Sequence, residues 1–155
     1  MRIELLHPAI VHFPIVLAIS LLAVDATATF RGAALTRGKA LGNLAAVIAV
    51  TAAIFALLAF ALGDQAYDIA VAAGAPGEPL EMHEELGTLT ALAILGWGAL
   101  RAFGWWRAIP ISGARSWIVT AIDGVLAVLV VLTAWYGGQL VYDFGVAVTR
   151  ATGAS

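Results

Sequence analysis

The residues of this 155-residue chain best suited to redox or metal chemistry are three histidines, His7, His12 and His83. Cysteine is absent, which excludes disulfides, thiolate metal sites, iron–sulfur clusters and covalently attached haem. His7 and His12 stand five apart in LHPAIVHFPI. On a regular helix that spacing separates them by roughly 140°, so both rings would not face one partner. Pro8 suits a first helical turn, where its missing N–H costs nothing, which makes His7 a residue of the helix start. Pro14 removes the bond to the Ile10 carbonyl and predicts a kink or late start that turns both rings toward a common point. His83 lies in Glu81-Met82-His83-Glu84-Glu85, at the opening of a later helix.

Four apolar stretches must position these residues: Pro8–Phe30, Leu41–Leu62, Leu86–Phe103 and Trp117–Tyr136. Each is near the ~20 residues an α-helix needs to cross ~30 Å of hydrocarbon. With their polar flanks they predict spans at about 8–30, 41–62, 83–103 and 116–143 of a single integral-membrane domain, 1–155. The expected fold is all-α, an up-down-up-down transmembrane four-helix bundle. With 62% hydrophobic and 12% charged residues, the chain is far from the soluble average of roughly a quarter charged. No low-complexity tract and no clear repeat is visible. The segment Gly63–Met82 predicts a long loop, in which Tyr67–Ala73 either lies along the membrane surface as a cap or is a plain spacer. Alanines and glycines spread through every span predict close helix approach.

Four crossings return the chain to its starting side, so all three histidines gather at one membrane face. Arg31, Arg37, Lys39, Arg101, Arg107 and Arg115 mark the other face, six of the eight cations. The positive-inside rule makes that face cytoplasmic and both termini periplasmic, in a bacterial inner membrane. The histidine face carries Glu4, Asp64, Asp68, Glu78, Glu81, Glu84, Glu85 and Asp143, with only Arg2 and Arg150. Trp97, Trp105, Trp106 and Trp117 predict one interfacial belt, and Tyr67, Trp135, Tyr136 and Tyr142 the other. Ile10–Val24 followed by Ala26-Thr27-Ala28 has the outline of a cleaved signal peptide. His12 and Pro14 inside the apolar run, and the cations after it, favour a retained span.

Two acids lie toward the cationic face. Asp25 is near the end of the first span and Asp123 about two turns into the fourth. Ionised carboxylates at depth are costly unless paired. They read either as a route for proton uptake or as groups paired with Arg31 or Arg115, or bonded to Thr27 and Thr120.

The opening HPAIVHFPI, His83 followed four residues on by Gly87, and GGQLVYDFGVAV toward the end resemble a bacterial family of small four-helix membrane proteins of unknown function. That family is marked by an HPxxVHFP opening, and the resemblance covers nearly the whole chain. Because its members also occur fused to Rieske-type iron–sulfur modules, the resemblance implies a setting in electron transfer. Many members carry a histidine after LVYx. Here Phe144 stands at that place, preceded by Asp143, which removes a fourth ligand and argues against a two-haem arrangement.

The leading expectation is non-covalent b-type haem, with His12 and His83 as axial ligands from different helices. His7 would then be a substitute ligand, a propionate partner or a supporting residue, and Tyr67, Tyr142 and Asp143 would border the same mouth. The alternative is a zinc or copper site of His7, His12 and His83 with Asp64 or a glutamate of Glu81–Glu85. A third reading is a non-catalytic accessory subunit of a membrane complex. The expected role is therefore electron transfer or accessory rather than enzymatic. The expected partners are the lipid bilayer and a quinone, another subunit, a Rieske-type or a periplasmic protein. No basic stripe exists to grip nucleic acid.

Overall fold

The computed structural model describes residues 6–146; Arg2, Glu4 and Arg150, read above as flanking charges, lie outside them. Five helices follow one another: α1 (Leu6–Ile10), α2 (His12–Phe30), α3 (Ala40–Ala72), α4 (Gly77–Trp106) and α5 (Ala114–Tyr142). Because α1 runs straight into α2, four continuous helical segments are long and apolar enough to cross a membrane. The interruption falls at Val11, one turn before Pro14. Proline has no N–H to offer the Ile10 carbonyl, so the ladder breaks where the sequence says it must.

Two boundaries differ from the sequence reading. The expected Gly63–Met82 loop is mostly helix, since α3 continues to Ala72 and α4 begins at Gly77. Hydropathy marks where a helix leaves the hydrocarbon, not where its hydrogen bonding stops. The 33 residues of α3 span about 50 Å, well beyond the apolar slab. Its projecting end, with Ala70, packs on Leu80 of α4 and Leu140 of α5, and Tyr67 lies against that small cluster.

The helices form a square. α2 packs on α3 and α5, α4 packs on α3 and α5, and α2 and α4 are diagonal. In lipid no hydrophobic drive pulls helices together, so contact depends on close van der Waals approach of small residues. The buried face of α3 is accordingly Gly42, Ala45, Ala46, Ala49, Ala52, Ala53, Ala56 and Ala59 in its spanning part. Gly98 of α4 meets it so closely that an added Cβ would stand 2.7 Å from Ala53 Cβ and 2.8 Å from the Ala49 carbonyl oxygen. Large side chains such as Val47, Ile54, Leu57, Val125 and Val128 point outward.

A repeat that sequence identity conceals is visible in the buried positions. Pro14, Ala18 and Asp25 of α2 are matched, at a constant offset of 76 residues, by Thr90, Ile94 and Arg101 of α4. Gly42, Ala45, Ala49, Ala52 and Ala56 of α3 are matched, at an offset of 74, by Ser116, Val119, Asp123, Leu126 and Val130 of α5. The turns agree as well. Ala33 N–H bonds the Ala28 carbonyl at 2.8 Å past a left-handed Gly32, and Ile109 N–H bonds the Gly104 carbonyl at 2.9 Å past a left-handed Ala108. Three pairs of counterparts touch each other: the rings of His7 and His83, the side chains of Asp25 and Arg101, and Leu35 with Ile111 in a short antiparallel bridge. Residues that meet their own equivalents lie on a two-fold axis. The bundle is thus two helical hairpins, α1–α3 and α4–α5, arranged about one approximate axis.

Ala108, at φ 51°, is the only non-glycine residue in the left-handed region among those described, where its counterpart is Gly32 at φ 63°. A Cβ in that conformation costs about 1 kcal/mol. Ala108→Gly is expected to raise the thermal midpoint of the detergent-purified protein, and an unchanged or lower midpoint would argue against equivalent turns.

Candidate functional site

At the end of the bundle formed by the start of α1, the end of α3, the start of α4 and the end of α5, two histidines face each other across the axis. Their ring centroids are 6.3 Å apart and their planes 74° apart. Each ring is fixed in the same way. His7 Nδ1 donates to the Ala59 carbonyl at 3.0 Å, and His83 Nδ1 donates to the Thr133 carbonyl at 3.1 Å. A carbonyl can only accept, so both Nδ1 atoms carry a hydrogen, and in the neutral ring each Nε2 presents a lone pair.

Glycine makes these seats. Four residues after each acceptor comes Gly63 or Gly137, and a Cβ there would stand 3.0 Å from His7 Cε1 or 2.8 Å from His83 Cε1. The motif is one device used twice, a glycine that admits an imidazole onto a helix and a carbonyl one turn earlier that orients it. On α5 a further layer supports it. Thr133 donates its hydroxyl to the Leu129 carbonyl at 2.9 Å and shares a 2.8 Å bond with the Thr90 hydroxyl, tying α4 to α5 behind His83.

His12 does not join them. Its ring is exposed and its Nδ1 bonds the Pro8 carbonyl at 2.6 Å, within its own segment. The expected pairing of His12 with His83 is therefore replaced by His7 with His83. The physical reason is helical phase: the break at Val11 leaves α1 packed on α3 with His7 inward, and does not rotate His12 after it. Nor is the proposed zinc or copper cluster assembled. Among the described residues no three His, Asp or Glu side chains gather as ligands, and Asp64 and the glutamates 81, 84 and 85 are exposed. Tyr67 is half-buried, while Tyr142 and Asp143 are exposed at the end of α5.

A second polar centre lies in the other half of the bundle. Asp25 is wholly buried and receives both guanidinium nitrogens of Arg101, Nη2 to Oδ1 at 3.2 Å and Nη1 to Oδ2 closer still. Asp123 is equally buried and accepts the Trp97 indole N–H on Oδ1 at 2.8 Å, while its Oδ2 stands 3.9 Å from Arg101 Nη1. From the sequence, Arg101 is expected among the cytoplasmic loop cations and Trp97 in an interfacial belt. Both are instead inner residues, and the partner of Asp25 is neither Arg31 nor Arg115. Thr120 pairs with Thr29, at 2.9 Å, rather than with an acid. The signal that could have found the pair was Arg101's place inside an apolar run, before Ala102 and Phe103 rather than after them.

Removing one partner of a buried pair leaves an uncompensated charge and costs roughly 3–5 kcal/mol. Arg101→Met should therefore lower the thermal midpoint sharply. Since Asp25 and Arg101 are counterparts, the double variant Asp25→Arg with Arg101→Asp should recover much of the loss. A wild-type midpoint for Arg101→Met would contradict the pairing.

No curated protein and no solved structure matches the chain. Residues 4–150 match a family described as a predicted membrane protein, DUF2231. That span takes in all four apolar helices, both histidine seats and the buried ion pair. The chain belongs to the DUF2231 family of predicted membrane proteins, whose function is unknown.

Proposed function

We propose that the protein binds one b-type haem through His7 and His83 and serves as a membrane electron carrier. The observation that carries this reading is the pair of imidazoles held on opposite sides of the axis, each with Nδ1 on a backbone carbonyl, and centroids 6.3 Å apart. A metal–imidazole bond of about 2.0 Å on each side of a shared ion puts two ring centroids roughly 6 Å apart. Donor number then separates haem from zinc. Two protein nitrogens do not complete a zinc site, which takes three or four protein ligands. They do complete haem iron, whose other four ligands come from the macrocycle. Backbone carbonyls on both Nδ1–H groups are the outer support that ligating histidines require. Haem held there would supply one-electron redox chemistry, and the electron partner would be a quinone, a Rieske-type module or a periplasmic protein.

The absorption spectrum of detergent-purified protein tests this. A Soret band with a sharp reduced α-band is expected, abolished or converted to high spin by His7→Ala or His83→Ala and untouched by His12→Ala. A colourless protein with stoichiometric zinc or copper would replace haem by a metal ion, and a colourless, metal-free protein would leave an accessory role. Loss of the spectrum in His12→Ala alone would overturn the ligand pair.

The same proposal sets the histidine end in the periplasm of a bacterial inner membrane. Arg31, Arg37, Lys39, Arg107 and Arg115 all sit at the exposed opposite end. Reporter fusions at Ala34, Ala75, Ala108 and the C-terminus are expected to read in, out, in, out; a cytoplasmic C-terminus would reverse the orientation.

A further inference from the structure

We propose that Asp123 and Asp25 form a proton-binding site, in which one proton is shared between the two carboxyl groups and the cluster with Arg101 is electrically neutral. The first support is an orphaned atom. Asp123 Oδ2 is buried and has no hydrogen-bond donor among the described residues. The two carboxyl groups flank the same guanidinium nitrogen: Arg101 Nη1 bonds Asp25 Oδ2 and stands 3.9 Å from Asp123 Oδ2. Two carboxylates cannot bond each other, since neither has a hydrogen to donate; one proton on either makes the bond. A proton held between the two groups would give that buried oxygen a partner.

Charge counting agrees. Two ionised carboxylates and one guanidinium would leave a net negative charge in a span, and charge there is expensive. Elements around the cluster offer no other compensation. α2 contributes Asp25, α4 contributes Arg101 and the neutral Trp97, and α3 presents only Ala49 and Ala52 to the adjoining cavity. That cavity, about 10 Å³ and bordered by Asp123, has room for roughly one water.

The repeat supplies an independent argument. Asp25 and Arg101 are counterparts and suffice to neutralise each other across the axis. Asp123 occupies the position that α3 fills with Ala49, and Trp97 the position that α2 fills with Leu21. The scaffold thus accommodates an alanine at the equivalent place, and the second carboxylate with its indole donor is an addition to it. Like charges at one buried site hold a proton as a pair rather than individually.

Infrared spectroscopy of the whole protein in liposomes at neutral pH tests the proposal. A protonated-carboxyl C=O band that shifts in D2O is expected. Asp123→Asn should remove it. Asp25→Asn should remove it too, because the remaining carboxylate then has Arg101 to itself and ionises. Should either variant fail to fold, Trp97→Phe keeps both carboxyl groups and the guanidinium and removes only the indole bond to Oδ1, so the band must move to higher frequency. No carboxyl band in the wild type, a band that survives Asp25→Asn, or a band unmoved by Trp97→Phe would each overturn the shared proton.

Discussion

Close approach of helix backbones in a solvent as apolar as their own side chains is the constraint on which everything else in this protein depends. Lipid rewards no burial of leucine, so the bundle is assembled from alanine and glycine faces, and large side chains point outward. Small faces interlock poorly on their own, because Ala45, Ala49, Ala52 and Ala56 present nearly the same profile at every turn of α3. Register has to come from polar contacts. The ion pair of Asp25 with Arg101 fixes the diagonal helices α2 and α4 against each other, and the Leu35–Ile111 bridge fixes the turns below them. At the far end the two imidazoles settle onto Gly63 and Gly137. All three contacts lie on the axis that relates the two hairpins.

The two-fold arrangement explains how a short chain sets two imidazoles face to face. Each hairpin needs only one histidine within the first two turns of its leading helix and one glycine toward the same end of its second helix. Repetition then brings the rings together without any long loop. Departures from the repeat are concentrated on the second hairpin, in Trp97, Asp123, Thr90 and Thr133. One half is close to a plain scaffold, and the other carries the added polar groups.

Much of this was legible in the sequence. Four spans, the bundle topology, the break near Pro14 and the gathering of histidines at one end follow from hydropathy, chain direction and the missing proline N–H. The regular-helix angle between His7 and His12 sets their rings apart, but the break at Pro14 was expected to bring both to a common point, and it does not. His12 was the expected partner of His83 because the two lie on different helices at similar depth, but the packing of the short α1 on α3 puts His7 there instead. The repeat was hidden because burial, not residue type, is what the halves share: Asp25 answers to Arg101, Ala52 to Leu126, Pro14 to Thr90. Arg101 was misplaced for a related reason, since a cation six residues from a basic turn reads as part of it. Hydropathy likewise could not tell a helix leaving the membrane from a loop, which is why α3 and α4 extend through the expected Gly63–Met82 connection.

Two neutral imidazoles, each protonated on Nδ1 and meeting across the axis, are what a cofactor at this end of the bundle requires. ¹⁵N-imidazole NMR of the protein in lipid, prepared before any cofactor or metal is added, reads this directly. The predicted result is a single Nδ1–H tautomer for His7 and for His83, with through-space contact between the two rings and none from either to His12. An Nε2–H tautomer at either ring, or contact between His12 and His83 in place of His7, would contradict it.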